Sequence, residues 1–361
     1  MRVWAWGVGA LAVVIAAIWI GWTLMRAEIG MTIFERQVQD MVGTDPSAGL
    51  ENGLHVYMCG TGSPIPDPSR AGPCVGILAG KSAFVFDAGS GSMRKLMRIG
   101  FPIGQVKKAY LTHLHSDHLD GLGELLLQAW IGGNRAQPLP IGGPAGTGEI
   151  VAGFNQVYRQ DSTYRVAHHG ENVANPQGFG GMADEIVFLE GRRQTVVYEG
   201  GGVTITAFLV DHEPVSPALG YRIDYADRSV TISGDTVKNE TLIVMAKDTD
   251  ILIHEALNRD MVLLMADAAN SNGNKGLAKI FTDITDYHAT PRDAAESAER
   301  AGADMLVLTH IVPPLPSPLL NPAFVGDARK HYSGALKVGS DGLLISLPSG
   351  SDAIHVEQRL N

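Results

Sequence analysis

The chain has 361 residues, of which 45% are hydrophobic and 18% are charged. This composition excludes a disordered chain, a collagen and a coiled coil, and the length is sufficient for one large core or two ordinary domains. The 28 Lys and Arg residues stand against 38 Asp and Glu residues, which gives a formal net charge of −10. Because proteins that bind nucleic acid usually carry a basic surface, this balance argues against nucleic acid as the default partner.

The N-terminal segment is apolar and is bounded by charges. Residues 3–25 contain no charged side chain and lie between Arg2 and Arg26, with tryptophans near both ends. This length can cross a bilayer, and tryptophans are favoured at membrane interfaces. We therefore predict a transmembrane anchor at residues 1–26, with an exported catalytic domain on the outer side of the inner membrane. A cleaved signal peptide, and hence a secreted protein, is the alternative, but its apolar region is usually shorter and no clear cleavage site follows.

After the anchor, residues 27–50 form a juxtamembrane helix and linker, and a domain spans residues 51–361. In this domain short apolar segments alternate with helical patterns, separated by Gly, Pro and Ser turns. The predicted strands cover residues 54–58, 75–78, 83–86, 106–112, 203–210, 221–225, 229–233, 251–253 and 305–309. The predicted helices cover residues 119–131 and 292–301. Residues 132–148 are predicted to form a long Gly/Pro loop.

The second predicted helix has the strongest end signals in the chain. Thr290 is a typical N-cap, Pro291 suits the first helical position, and Gly302 stands just past the end.

The chain has two cysteines, Cys59 and Cys74, which are too few for a disulfide scaffold or a cysteine-based zinc site. In an exported domain they could form a disulfide. Free cysteine is commonly buried, however, and we expect buried free thiols here.

Four metal-ligand side chains fall within six residues directly after a predicted strand. They are His113, His115, Asp117 and His118. A loop at a strand end can aim such groups together, and imidazole nitrogen with carboxylate oxygen suits zinc or a similar divalent ion. A polar loop with incidental histidines is a poorer explanation of this spacing.

Three further candidates stand at the ends of other predicted strands. His212 follows residues 203–210, Asp235 follows 229–233, and His310 follows 305–309. Together with the first cluster they make two sets of ligands with one carboxylate to share. This set predicts a dinuclear centre that activates a bridging water.

The pattern H-x-H-x-D-H followed by separate His, Asp and His residues resembles the metallo-β-lactamase superfamily. The resemblance covers residues 54–346 and implies an α/β fold, a four-layer αββα sandwich. Within the superfamily, the chain most resembles the ribonuclease Z and arylsulfatase-like branch. The segments that carry this closer resemblance are residues 59–64 (CGTGSP), 86–90 (FDAGS), 220–222 (GYR), 233–236 (SGDT), 254–256 (HEA) and 288–290 (HAT).

The resemblance implies a role for each matching residue. His113, His115 and His212 would hold one metal, Asp117, His118 and His310 the other, and Asp235 would bridge them. The implied cofactors are two divalent ions, with zinc as the first choice. Asp117 would also act on the water.

Four other residues are implied around the metals. His288 resembles the histidine that assists the leaving group, although a supporting or surface role is the alternative. Asp87, His254 and Glu255 would orient ligands through hydrogen bonds. His168 and His169 are adjacent in a less recognisable stretch, where pocket lining and plain surface are equal alternatives.

From these residues we expect a metallo-hydrolase of a small-molecule ester, an aryl sulfate or a phosphodiester. The alternatives are a ribonuclease Z-like 3′-tRNA processing endoribonuclease and a β-lactam or lactone hydrolase. A non-enzymatic metal-binding domain is disfavoured, because structural zinc sites are normally closed by four ligands. Ribonuclease Z commonly grips tRNA with a basic Gly/Pro-rich arm, and residues 132–148 carry only Arg135. The sequence leaves the oligomeric state open, and the resemblance makes a dimer plausible.

Overall fold

The computed structural model describes residues 2–360, so that Met1 and Asn361, the outermost residues of the predicted anchor and domain, lie outside the described residues. The chain divides into two compact units, one ending at Ala48 and the other beginning at Gly49. The first unit is a single helix, α1 (Arg2–Met41), where the sequence predicted an anchor and a separate helix.

The first helix bends near its middle. Among the described residues, no single helix is long and apolar enough to cross a membrane, but the segments Val13–Thr23 and Met25–Gln39 meet the criterion together, with a bend of 47° between them. Trp19 and Trp22 are exposed, and the side chains of Trp4 and Trp6 lie outside the described part of the chain.

The second unit contains the remaining helices and all the described strands. The helices are α2 (Ser92–Arg98), α3 (Leu122–Gly133), α4 (Thr147–His169), α5 (Glu240–Met245), α6 (Arg259–Ser271), α7 (Lys275–Asp283), α8 (Pro291–Ala301) and α9 (Asn321–Val325). The strands are β1 (Gly53–Gly60), β2 (Cys74–Ala79), β3 (Ser82–Phe86), β4 (Val106–Tyr110), β5 (Leu139–Gly143), β6 (Gly181–Glu185), β7 (Gln194–Gly200), β8 (Val203–His212), β9 (Val215–Tyr225), β10 (Arg228–Ile232), β11 (Ile251–Leu257), β12 (Met305–Val312), β13 (Ala335–Val338), β14 (Leu343–Pro348) and β15 (His355–Gln358).

The strands form two sheets that pack face to face. One sheet has the order β15-β14-β1-β2-β3-β4-β5-β6, and the other has the order β13-β12-β11-β10-β9-β8-β7. Side chains from both, such as Phe86 and Tyr221, form the core between them. The outer face of the first sheet packs on α2 and α3, and that of the second on α5 and α8. Both faces of each sheet are thus covered, which explains why β1, β2, β3 and β11 are buried throughout. This arrangement is the predicted αββα sandwich.

The structure has elements that the sequence did not predict, and four of them lie between residues 132 and 200: β5, α4, β6 and β7. The predicted loop at residues 132–148 contains β5, and α4 begins within it at Thr147. β5 is short and rich in Gly and Pro, so its sequence predicts a turn. It forms a strand because β4 and β6 pair with it in parallel on both sides.

The helix with the strongest end signals has the predicted ends. In α8, Thr290 and Asp293 form a reciprocal capping box, Pro291 is the first helical residue, and Gly302 ends the helix with a φ of 69°. These interactions are local in sequence, which is why the pattern alone predicts them.

The two cysteines form a disulfide, so the prediction of free thiols is wrong. Cys59 and Cys74 are joined, with their Cα atoms 5.1 Å apart. The antiparallel pairing of β1 with β2 places Gly60 opposite Cys74. This register brings the Cα atoms within the range that a disulfide can bridge.

Candidate metal centre

The seven predicted ligands converge where loops and strand ends of both sheets meet. The loop after β4 carries four of them, and Asp235 follows β10 by three residues. His212 and His310 lie inside β8 and β12, which continue past the predicted ends. His310 stands out of the ladder, since Glu255 pairs with Thr309 and Ala256 with Ile311. Such an irregularity re-aims a side chain, and here it turns His310 toward Asp117.

The first group of ligand atoms is formed by three histidines. His113 Nε2 lies 2.9 Å from His115 Nδ1, which lies 3.4 Å from His212 Nε2. All three nitrogens lie within 4.8 Å of one another. Three imidazole nitrogens facing a common point are an arrangement suited to a divalent transition metal.

The second group combines a carboxylate with two histidines. Asp117 Oδ2 lies 3.5 Å from His118 Nε2 and 3.3 Å from His310 Nε2. All three side chains are nearly or fully buried. His118 Nε2 has no hydrogen-bond partner within residues 2–360, although it is buried. A buried nitrogen without a partner is costly unless something else binds it, and a metal ion fits this position.

Asp235 lies between the two groups. Its Oδ2 atom is 3.1 Å from His310 Nε2, 3.3 Å from His118 Nε2 and 3.9 Å from His113 Nε2. Burial opposes its charge, but the surrounding histidines, His310 and His118 foremost, hold the pKa of this carboxyl well below its usual range. A carboxylate that stays charged and faces both groups has the chemistry of a bridging ligand.

Buried histidines in the centre favour the neutral form that binds metals. Burial lowers the pKa of His113 well below its ordinary value and that of His212 to about 4. His118 differs: burial opposes its charge, but Asp235 and Asp87 raise its pKa. A histidine that binds a metal commonly donates its other ring N–H to a carboxylate, and Asp87 is in that position.

Two hydrogen bonds orient the rings from behind. Asp87 Oδ2 accepts a hydrogen bond from His118 Nδ1 at 2.8 Å, and its other oxygen accepts one from the Thr112 amide at the same distance. His212 Nδ1 donates to the carbonyl oxygen of Tyr287 at 2.9 Å. Neither Thr112 nor Tyr287 was among the predicted residues. A backbone carbonyl leaves no signal in the sequence, whereas Thr112 adjoins the histidine motif and could have been considered.

His288 and Glu255 form a pair beside the metal ligands. His288 Nδ1 donates to Glu255 Oε1 at 2.8 Å, and the same oxygen accepts the amide of Thr236 at 3.0 Å. A nitrogen of the His288 ring also lies within 4.8 Å of ligand atoms of Asp235 and His212. Burial raises the pKa of Glu255 and lowers that of His288. The hydrogen bond from Nδ1 to Oε1 fixes the orientation of the His288 ring.

Three histidines that the sequence singled out lie away from the centre. His254 is buried, and its Nδ1 donates to the carbonyl oxygen of Glu255, whereas its Nε2 has no partner among the described residues. Successive residues of a strand point to opposite faces, and Glu255 takes the face toward the site, so the role predicted for His254 in orienting ligands stays a prediction. His168 and His169 are exposed at the end of α4.

The fold and the site define a superfamily. A family model described as the Beta-lactamase superfamily domain matches residues 83–311, and the chain belongs to this family. It is a metallo-hydrolase of the metallo-β-lactamase fold, a family that is typically dependent on two metal ions.

Within the superfamily, the chain is related to proteins named Ribonuclease Z. It is 36% identical over 292 residues to Ribonuclease Z of Mycobacterium bovis (strain BCG / Pasteur 1173P2), a match that covers 80% of this chain and 96% of the relative. It is 37% identical over 263 residues to Ribonuclease Z of Mycobacterium sp. (strain KMS), which covers 73% and 85%.

Solved structures show the same fold. Human tRNase Z, short form, has a TM-score of 0.55 at 23% identity, and the match covers 81% of this chain and 99% of that one. The metallo-beta-lactamase fold protein YhfI from Bacillus subtilis has a TM-score of 0.56 at 21% identity, and covers 82% and 100%.

These relatives overturn one prediction. Proteins with 36% identity across most of this chain are named as ribonucleases, so the expectation of a small-molecule ester substrate without a nucleic acid partner is wrong. The expectation came from the net charge of −10 and from the lack of a basic arm at residues 132–148. Net charge averages over the whole surface, whereas affinity for nucleic acid depends on the cations at the contact itself.

Proposed function

We propose that this protein is a metal-dependent endoribonuclease of the ribonuclease Z type, which hydrolyses a phosphodiester bond in RNA. The observation that carries the proposal is the likeness to Ribonuclease Z across 96% of that relative's length. The grouping of seven ligand side chains next to the His288–Glu255 pair supports it, since hydrolysis of a phosphodiester requires both an activated water and a group that protonates the departing oxygen.

The proposed cofactors are two zinc ions. One would be held by His113, His115 and His212, the other by Asp117, His118 and His310, with Asp235 shared. Nitrogen-rich sites with one or two carboxylates are typical of zinc. When bound, the metals would supply Lewis-acid stabilisation of the phosphate oxygens and would lower the pKa of a water.

The chain's own groups would move the protons. Asp117 faces the centre through Oδ2 and would orient or deprotonate the attacking water. Glu255 accepts the Nδ1 proton of His288 and thereby holds the ring in one orientation. Protonated on its other nitrogen, His288 would give that proton to the departing oxygen. Because burial lowers the pKa of His288, the protonated ring gives up its proton readily.

The test is to assay the metal-loaded full-length protein on precursor tRNA with a 3′ trailer and on bis(p-nitrophenyl) phosphate. Wild-type protein should cleave both. His288→Ala should lower kcat on RNA by about 10²–10⁴-fold with unchanged metal content. The deficit should be smaller on the nitrophenyl ester, whose leaving group needs no proton.

The matched control is His168→Ala, because His168 is an exposed histidine far along α4. This variant should keep wild-type rates on both substrates. Metal-loaded protein that hydrolyses neither precursor tRNA nor the nitrophenyl phosphodiester would refute the proposed function.

We also propose that α1 anchors the protein in the inner membrane, with the catalytic unit on the outer side. The bent apolar helix pair is long enough for this role, and the Cys59–Cys74 bond supports an oxidising compartment. Cell fractionation combined with alkylation of thiols tests the proposal separately from activity. Full-length protein in the cytoplasmic fraction, with both thiols alkylated, would contradict it.

A further inference from the structure

A cleft lined by cations opens on the second unit. Its volume is about 640 Å³, and its charged lining residues are Arg70, Lys95, Arg98, Lys337 and one acid, Asp341. These residues come from four separate places in the chain: the loop after β1, the helix α2, the strand β13 and the segment before β14. We call this cavity the cationic cleft. It is a local concentration of positive charge in a chain whose net charge is −10.

The single acid of the cleft is already neutralised by the protein. The side chain of Asp341 is only 4% exposed, and its oxygens accept hydrogen bonds from the amides of Thr61 and Ala71 and from Lys95 Nζ. The Arg70 guanidinium is also held in place, by the carbonyl oxygen of Gly339 at 2.6 Å. These bonds hold Asp341, Lys95 and Arg70 in place at the wall of the cleft. Among the described residues, the cations of the cleft without such partners are Arg98 and Lys337.

Arg98 and Lys337 are the free cations of the cleft. Within residues 2–360 neither side chain forms an ion pair or a hydrogen bond. Each has an ordinary structural explanation by itself, because Arg98 lies in the last turn of α2 and Lys337 lies on β13 at the edge of its sheet. Those explanations do not account for two unpaired cations lining the same cavity.

The cationic cleft shares lining residues with a second cavity, which reaches the proposed metal ligand Asp117. That second cavity has a volume of about 620 Å³ and is lined by the proposed ligand Asp117, with Ser90 and Gly72. Pro68 and Arg70 line both cavities, so the cavities meet along this short stretch of the loop after β1. A strand that reached Asp117 through the second cavity would pass Arg70 on its way to the cationic cleft.

We infer that the cationic cleft is a binding site for the phosphate backbone of an RNA strand whose scissile phosphodiester lies at the metal centre. Arg98 and Lys337 contact phosphates of that strand, and Arg70 shapes the passage between the two cavities. The inference rests on the proposed function, because it takes RNA as the substrate of the metal centre. It names the part of the surface that would hold RNA on an otherwise acidic protein.

The experiment measures binding and hydrolysis with different probes. The metal-loaded full chain, kept in a neutral detergent, is titrated with fluorescent single-stranded RNA whose linkages are phosphorothioates, which keep the charge and resist hydrolysis. Arg98→Ala combined with Lys337→Ala should weaken binding about tenfold at physiological salt, and should lower the slope of log Kd against log salt by about 1.4, since each lost contact with a single strand removes about 0.7. Hydrolysis of bis(p-nitrophenyl) phosphate, which occupies only the metal centre, should keep its wild-type kcat and KM.

The matched control is Lys81→Ala combined with Lys107→Ala. Both lysines are exposed and neither forms an ion pair among the described residues, but they lie at the starting ends of β3 and β4, whereas the metal loop follows the other end. This control should bind RNA as wild type does. Equal affinity and equal salt slope in the two double variants, or no binding of RNA by the wild type, would overturn the inference. Wild-type protein that hydrolyses neither precursor tRNA nor the nitrophenyl phosphodiester would refute the proposed function instead.

Discussion

At the scale of single residues, Asp235 is a buried carboxylate surrounded by histidines. It is 3% exposed, lies within 3.9 Å of nitrogens of three histidines, and stays charged because of them. The groups that face this carboxylate are the histidines of the two proposed ligand groups. Its position between both groups makes it the residue on which the proposed dinuclear arrangement depends.

Replacing Asp235 by Ala should therefore reduce the metal content of the protein. Losing a group that merely supports a ligand costs about 10–100-fold in metal affinity, so loss of a bridging ligand should cost at least about 100-fold. Elemental analysis after equilibrium dialysis measures the loss. Asp267→Ala is the control, because Asp267 is exposed on α6. Unchanged stoichiometry in Asp235→Ala would contradict the proposed bridge.

His254 should make the stability of the protein sensitive to acid. Burial lowers its pKa from 6.5 to about 4. As the pH falls below 6.5 the unfolded chain binds the proton first, so stability is lost between about pH 6.5 and about pH 4, and the full loss is about 3 kcal/mol.

Urea unfolding of metal-free protein measures this effect at about pH 7 and about pH 4.5. His254→Leu keeps every other titrating group, so the difference in acid sensitivity between it and the wild type isolates His254. The wild type should lose more stability than the variant on acidification. Equal losses in the two proteins would show that His254 is not held neutral by burial.

At the scale of elements, the ligands depend on the backbone at strand ends. Gly234 joins β10 to Asp235 with a φ of 63°, and a Cβ there would lie 2.4 Å from the carbonyl oxygen of Leu219. Only glycine fits both conditions. The close approach of this loop to β9 is what sets the direction of the Asp235 side chain.

The change Gly234→Ala should destabilise the protein and weaken metal binding together. The left-handed backbone costs about 1–2 kcal/mol for alanine, and relief of the clash must move the loop as well. Gly153→Ala is the control, because Gly153 lies in α4 with no atom near its Cβ position and alanine favours a helix. Thermal unfolding and metal titration should show a lower melting temperature and weaker metal binding for Gly234→Ala only. Equal melting temperatures and metal affinities in the two variants would contradict this account of the loop.

At the scale of the whole molecule, the disulfide connects β1 and β2 across the loop that lines the cavity at Asp117. Cys59 and Cys74 are separated by 15 residues, and both are buried. Closing a loop of this size lowers the conformational entropy of the unfolded chain, which raises the free energy of unfolding by about 3 kcal/mol. The bond therefore contributes a large share of the 5–15 kcal/mol by which a typical protein is stable.

Reduction should lower the free energy of unfolding of the wild type by about 3 kcal/mol. Urea unfolding with and without dithiothreitol measures the change. The protein with both Cys59→Ala and Cys74→Ala should show no response to the reductant, which controls for other effects of the thiol. A wild type that is equally stable in both conditions would contradict the stabilising role.

The sequence by itself determined what depends on neighbours along the chain. The histidine motif after β4 and the capping box of α8 each lie within a few residues, so their chemistry and geometry were predictable from spacing. The alternation of short apolar segments with helical patterns predicted strands and helices in the domain, whereas the sandwich followed from the resemblance to the superfamily. The strand ends were less predictable, because residues such as His212 and His310 continue strands through irregular pairings.

Only the tertiary structure decided what depends on residues distant in the chain. The pairing of Cys59 with Cys74 needed the register of β1 and β2, and β5 needed neighbours on both sides. The contact of Glu255 with His288, and the turning away of His254, depended on which face of β11 meets the site. The cationic cleft gathers residues from the loop after β1, from α2 and from β13. Net charge gave no sign of this cleft, because a sum over the sequence contains no information about which charges lie side by side.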